Sequence, residues 1–155
     1  MQCNRVGCIS ARQCEIKCYG SLIPKRIVIE EKLDGEEFTY QVFCDGIHVV
    51  GTPIVQDNKR AFNDDKGPNT GGMGSYSMAN HLMPFLTKKD IEYARDQIEQ
   101  TLKAVKEETG QFYRGVLYGQ FMKTVNGLKF IEFNIRFGDP EAMNVLSIMK
   151  SNFVT

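Results

Sequence analysis

The sequence predicts an α+β fold, a mainly antiparallel sheet packed with helices, and three observations carry that expectation. Phe130 to Arg136 alternate apolar and polar with period 2, and a second strand-like run, Arg114 to Lys123, precedes them across a short turn. Glu37 to Cys44 and Ile47 to Gln56 flank Asp45-Gly46, a dipeptide suited to a two-residue hairpin because both turn positions need φ > 0. Thr87 to Gly110 read as one amphipathic helix that carries its own start and stop signals.

At 155 residues the chain is one domain's worth, long enough for a sizeable core. Lysine plus arginine and aspartate plus glutamate balance at 19 each, so no basic stripe points to nucleic acid. No apolar run approaches a membrane span. Arg5, Arg12, Glu15 and Lys17 break up the N-terminal stretch, which is not a secretory signal, so a cytoplasmic protein is expected. Cys3, Cys8, Cys14 and Cys18 crowd into the first 18 residues, but their spacing lacks the paired short knuckles of zinc sites. Disulfides are not expected in a reducing compartment. Residues 1–24 are an unassigned lead-in, and residues 25–155 form the legible domain.

The elements follow in order. Arg26 to Glu31 is a short β-branched run and hence a strand, halted at Leu33-Asp34-Gly35. Pro53 makes the strand over Ile47 to Gln56 an edge strand or a bulged one. Residues 57–80 read as a long loop in which Gly67, Gly71, Gly72 and Gly74 surround Pro68-Asn69-Thr70. Successive glycines let backbone N–H groups turn inward around an anion, and Asp57, Lys59, Arg60 and Lys66 supply charge beside them. A loop of this length in a compact domain points to function. Thr87 and Asp90 form a capping-box-like helix start, and Ile91, Ala94, Ile98, Leu102 and Val105 form one apolar stripe. Gly110 ends that helix. Two registers compete for the next hairpin. A two-residue Asn126-Gly127 loop pairs Phe121 with Glu132. A three-residue loop, Val125 to Gly127, pairs Gln120 with Glu132 and keeps a polar amide off the core, so it is preferred. Asp139 caps a last helix with Pro140 in its first turn, running through Met149.

The chemistry concentrates on the strand over residues 130–136. Ile131, Phe133 and Ile135 share one face, to be buried; Glu132, Asn134 and Arg136 share the other, roughly 6–7 Å apart in succession. A surface strand has little use for a central asparagine. Glutamate and amide oxygens suit a hard cation such as Mg²⁺ or Mn²⁺, Gln120 adds another oxygen, and an adjacent arginine suits a phosphate.

Several stretches resemble ATP-grasp ligases: Ile29-Glu30-Glu31-Lys32-Leu33-Asp34-Gly35-Glu36-Glu37, Gln56-Asp57-Asn58-Lys59-Arg60, Lys66-Gly67-Pro68-Asn69-Thr70-Gly71-Gly72-Met73-Gly74, and Ile131-Glu132-Phe133-Asn134-Ile135-Arg136-Phe137-Gly138-Asp139-Pro140-Glu141. They are most similar to the phosphoribosylamine–glycine ligase family, and Gly119-Gln120-Phe121 resembles its archaeal members. The resemblance covers roughly residues 25–155 and implies the larger, C-terminal half of an ATP-grasp domain. Family members are much longer, and the resemblance implies that the smaller subdomain, which covers the nucleotide phosphates, is not among these residues.

The resemblance implies ligation of glycine to 5-phosphoribosylamine at the expense of ATP, with Mg²⁺ or Mn²⁺. Gln120, Glu132 and Asn134 would hold the metal, and Arg136 would hold phosphate oxygens. Glu30, Glu31, Lys32 and Leu33 would contact adenine, with Glu37 near the ribose. Asp57, Lys59, Arg60 and the loop Pro68, Asn69, Thr70, Gly71, Gly72, Met73 and Gly74 would line the substrate side. Another ATP-grasp carboxylate–amine ligase is one alternative. A non-catalytic remnant, or one part of a split enzyme whose missing half sits on a separate chain, is the other. The chain alone is expected to be inactive as a ligase, because phosphates held from one side stay in water.

Overall fold

The computed structural model describes residues 31–64 and 66–153. The chain divides into two compact units, Met1–Asp34 and Gly35–Thr155, and all regular structure among the described residues lies in the second. The strand expected over residues 26–31 lies outside the described residues except for Glu31, which has no regular structure. The four N-terminal cysteines also lie outside them.

The elements are β1 (Gly35–Cys44), β2 (Val49–Gly51), β3 (Gln56–Asp57), β4 (Arg60–Phe62), β5 (Lys66–Asn69), β6 (Ser75–Tyr76), α1 (Lys88–Thr109), β7 (Gly115–Thr124), β8 (Gly127–Asn134) and α2 (Glu141–Ser147). The main sheet has the order β2-β1-β7-β8 and is antiparallel throughout. Its core face carries Phe38, Tyr40 and Val42 from β1 with Leu117 and Phe121 from β7, packed against Ala94 and Ile98 of α1. Phe38 and Phe121 are cross-strand partners with stacked rings 5.7 Å apart. Burying one such ring contributes about 1.5–3 kcal/mol, which holds β1, β7 and α1 in one layer pair.

Local chemistry sets α1 as expected. Thr87 and Asp90 make the reciprocal capping box, and Gly110 takes the left-handed conformation (φ 71°) that ends the helix. The stripe holds at Ile91, Ala94, Ile98 and Leu102, but Val105 is exposed and stands outside the core cluster.

Five local expectations are corrected. Asp45-Gly46 does not form a two-residue hairpin. Only Gly46 has positive φ, and the Asp45 carboxylate instead accepts the N–H groups of Ile47 and His48, both at 2.7 Å. Cys44 therefore pairs with Val49 across a longer loop. The strand expected through Gln56 breaks at Thr52 to Ile54, around Pro53, and rejoins β1 by the bridge between Thr39 and Val55. Residues 57–80 are not a bare loop; they hold two short ribbons, β3 with β6 and β4 with β5. Ile135 lies past the end of β8 and is 78% exposed, so the buried face stops at Phe133. Finally, Pro140 occupies the N-cap of α2 without a side-chain hydrogen bond, after a cis Asp139–Pro140 bond. That places Asp139 one residue too early to cap, and the helix stops at Ser147 rather than Met149.

The β7–β8 turn also differs from both registers considered. Thr124 opposes Gly127 across Val125-Asn126, with the Thr124 hydroxyl accepting from the Asn126 N–H. The register then shifts: Phe121 opposes Phe130, while Gln120 opposes Glu132. Ile131 is the extra residue of a β-bulge, and it restores the polar pairing that the turn alone would have lost.

Candidate functional site

Alternation across three paired strands places the polar side chains on the sheet face away from α1. Thr39, Gln120 and Glu132 form one cross-strand row; Gln41, Tyr118 and Asn134 form the next. Asn134 donates to Glu132 Oε1 at 3.3 Å, and Gln120 Nε2 donates to Glu37 Oε2 at 2.7 Å. Lys59 Nζ meets the same Glu37 oxygen at 2.9 Å. Of these, Lys59, Tyr118, Gln120, Glu132 and Asn134 open on a cavity of about 130 Å³ that also includes Asp57, Gly71, Arg136, Asp139 and Glu141.

The structure thus gathers Gln120, Glu132, Asn134 and Arg136 with Asp57, Lys59 and Gly71. Arg136 is exposed, and its Nη1 donates to the Phe137 carbonyl. Arg60 is not in this cavity. It donates to the Gly67 carbonyl and lines an adjoining space of about 320 Å³ with Glu37, Asn58, Asn69 and Tyr76. Pro68 and Asn69 belong to the exposed ribbon strand β5, and Met73 points largely to solvent. Thr70 anchors the glycine-rich stretch: its N–H and hydroxyl both donate to the Lys59 carbonyl. Met73 N–H donates to Asn58, and Asn58 N–H to Gly74. Glu37 faces Gln120 and Lys59. Glu31, Lys32 and Leu33 belong to the first unit, and Glu30 lies outside the described residues.

Sequence reasoning missed Gln41, Tyr118 and Glu141. Gln41 is buried in mid-strand and accepts the Gly138 N–H at 2.9 Å. The Tyr118 hydroxyl donates to Glu141 Oε1 at 2.8 Å. A glutamine among Phe38, Tyr40, Val42 and Phe43 was the readable signal for the first; a non-local contact gives none for the pair.

Electrostatically the cavity is short of cations. Burial and the negative charge of Glu141 raise the Asp57 carboxyl from 3.8 to about 6, and Asp57 Oδ1 is buried without a partner. Burial and Glu141 also push the Tyr118 phenol well above its ordinary range, so it stays a neutral donor. Among the described residues no three His, Cys, Asp or Glu side chains converge tightly enough to hold a metal by themselves. One carboxylate, two amide oxygens and an uncompensated carboxylate nearby fit Mg²⁺ or Mn²⁺, which complete their shells with water and phosphate oxygens.

The family model of the phosphoribosylglycinamide synthetase ATP-grasp (A) domain matches residues 13–142. The chain belongs to this family. The match begins within the stretch left unassigned from the sequence. Among relatives, the chain is 58% identical over 129 residues to phosphoribosylamine–glycine ligase of Methanocella arvoryzae, covering 83% of this chain and 30% of that protein. It is 52% identical over 143 residues to the ligase of Pyrococcus abyssi, covering 90% of this chain and 32% of that one. The crystal structure of phosphoribosylamine–glycine ligase from Thermotoga maritima superposes with a TM-score of 0.65 at 35% identity, over 77% of this chain and 29% of that chain. The chain therefore spans about 30% of the length of the curated relatives it matches. The α+β, ATP-grasp character of this family agrees with the antiparallel sheet and its packed helix. No helix among the described residues is long and apolar enough to cross a membrane.

Proposed function

We propose that this chain provides the cation- and substrate-binding face of an ATP-dependent ligase that joins glycine to 5-phosphoribosylamine, releasing ADP and phosphate, in the cytoplasm. The observation that carries the reading is the pairing of Gln120 with Glu132, with Asn134 in the next row, on the face opposite α1. A carboxylate becomes an electrophile once the γ-phosphoryl group of ATP is transferred to it. The amine then displaces phosphate and loses a proton as the amide forms. Such transfer rests on positioning and charge neutralisation rather than on covalent work by the protein.

In this reading Glu132, Asn134 and Gln120 hold Mg²⁺ or Mn²⁺, which neutralises charge on the transferring group. Arg136 binds phosphate oxygens at the cavity mouth. Lys59, kept in place by Glu37, faces the same space, and Asp57 stands beside the glycine-rich loop where the amine substrate enters. Glu30, Glu31, Lys32, Leu33 and Glu37 serve the nucleoside, and Arg60 with residues 68–74 the phosphoribosyl group. The test is Mn²⁺ binding by the 155-residue chain, read from the free-ion paramagnetic resonance signal with and without ATP. Saturable binding that ATP tightens is expected. A free Mn²⁺ signal unaffected by the protein in either case would overturn the reading.

A further inference from the structure

We propose that Tyr118 and Glu141 are positioning residues: their buried hydrogen bond fixes the distance between the cation-binding strands and the glycine-rich loop. This rests on the ligand site proposed for that cavity. Tyr118 sits in β7 between Gln41 and Asn134, so its backbone is part of the sheet that carries Gln120 and Glu132. Its hydroxyl reaches across to Glu141, the first residue of α2, at 2.8 Å, and both side chains are buried.

The turn between β8 and α2 is pinned from beneath at two points. Gln41 Oε1 accepts the Gly138 N–H, and Glu141 folds back so closely that a Cβ on Gly138 would lie 2.5 Å from Glu141 Oε2 and 2.6 Å from Tyr118 Cε2. The upper side of the same turn carries the loop. Gly72 approaches Pro140 until a Cβ would stand 2.8 Å from its Cδ, Ser75 Oγ donates to the Pro140 carbonyl at 3.3 Å, and Asn144 donates to the Ser75 carbonyl at 3.4 Å. Residues 138–144 are therefore a spacer with the sheet on one side and the loop on the other. The Tyr118–Glu141 bond and the Gln41–Gly138 bond both tie that spacer to the sheet.

In this arrangement Glu141 needs an acceptor oxygen rather than a charge. Glu141→Gln keeps the acceptor; Glu141→Ala and Tyr118→Phe lose the bond. The effect falls on the loop and spares the cation ligands, which β7 and β8 hold independently. Calorimetric titration with ribose 5-phosphate should show Tyr118→Phe and Glu141→Ala weakened by about five- to tenfold, the size of one hydrogen bond's net contribution. Glu141→Gln should stay near wild type for ribose 5-phosphate, while Mn²⁺ affinity should be unchanged in Tyr118→Phe and equal in the two Glu141 variants, which lose the same charge beside the cavity. Mn²⁺-induced relaxation of the Gly71 amide proton should drop in the two weakened variants only. Should Tyr118→Phe fail to fold, the contrast between Glu141→Gln and Glu141→Ala decides. Equal losses of ribose 5-phosphate in those two, unequal Mn²⁺ affinities between them, parallel losses of Mn²⁺ and ribose 5-phosphate in Tyr118→Phe, or no loss in any variant would each overturn the positioning role. A wild-type chain that binds neither probe would instead fail the underlying site reading and take the inference with it.

Discussion

Gln120 and Glu132 face each other across β7 and β8 although the turn joining those strands is one residue too short for that pairing. The bulge at Ile131 supplies the missing residue between the turn and the site. Two demands are met at once: Phe121 stays in the core opposite Phe130, and the two oxygen-bearing side chains stay on the polar face. The bulge also keeps Glu132 and Asn134 on the polar face, where the proposed cation site needs them.

Glu132→Gln tests that shared cation. The variant keeps size and hydrogen-bonding capacity, including an acceptor for Asn134, but loses the only carboxylate in the proposed ligand set. A hydrogen bond or ligand contact to a charged group is worth about 1.5–3 kcal/mol, so Mn²⁺ affinity should fall roughly 10- to 150-fold. Thermal stability should stay near wild type because Glu132 is only part-buried. Unchanged Mn²⁺ affinity in a folded variant would remove Glu132 from the ligand set.

The glycine-rich stretch should be sensitive at one glycine and indifferent at its neighbour. Gly72 has φ 140° and presses on Pro140, with Asp57 Oδ1 3.3 Å from where a Cβ would stand. A Cβ at Gly71 meets nothing within 4 Å. Gly72→Ala should push the loop off the 138–141 turn and speed tryptic cleavage after Lys59, Arg60 or Lys66. Gly71→Ala should be cleaved at the wild-type rate. Equal cleavage of the two variants would contradict the docking of the loop on Pro140.

These contrasts mark what could be read in the sequence. The helix was legible down to its caps because Thr87, Asp90 and Gly110 act within one turn of their own backbone. The Gln120–Glu132 pairing was legible for a different reason: burying an unpaired amide is costly enough to choose the register, even though the turn that reaches it was misjudged. Asp45-Gly46 misled because the aspartate side chain satisfied two backbone N–H groups itself, and dipeptide preference does not see that competition. The ribbons at 56–76 are two to four residues per strand and largely polar, too short for a periodic signal. Tyr118 and Glu141 meet 23 residues apart in sequence, across a turn whose path no local preference sets.

Asp57 gives the site a pH dependence whose sign follows from the direction of its shift. Its folded-state pKa is about 6 against 3.8 for an ordinary aspartate, so between those values the folded chain binds more protons than the unfolded one. Stability then falls as pH rises from about 4 to 6 and levels off above. Asp57→Asn removes the titrating group, so its melting temperature should exceed that of wild type above pH 6 and approach it near pH 4. The comparison is made by thermal melts without divalent cations. A constant difference between the two proteins across that range would show that Asp57 does not titrate there.

Asp90 has the opposite sign. It is 7% exposed, and burial works against its charge, but Lys123 at 2.6 Å and the Thr87 N–H and hydroxyl, both at 2.8 Å, hold its carboxyl below the ordinary value of 3.8. It therefore contributes stability that is fully present above that value and is lost as pH falls through the folded-state pKa. Two roles combine in one side chain. It closes the capping box that starts α1, and it ties α1 to β7 through Lys123. Loss of a cap alone costs about 0.5–2 kcal/mol, and the ion pair is too solvent-accessible on the Lys123 side to be worth much more than about 1. Asp90→Ala should therefore cost about 1–3 kcal/mol in urea unfolding at pH 7. Lys123→Met should cost less, because the capping box survives it. At pH 3, below the ordinary value of 3.8, the gap between wild type and Asp90→Ala should shrink, since the unfolded chain then takes up a proton that the folded carboxyl resists. A gap that is equal at both pH values would mean that Asp90 acts through packing and not through its charge.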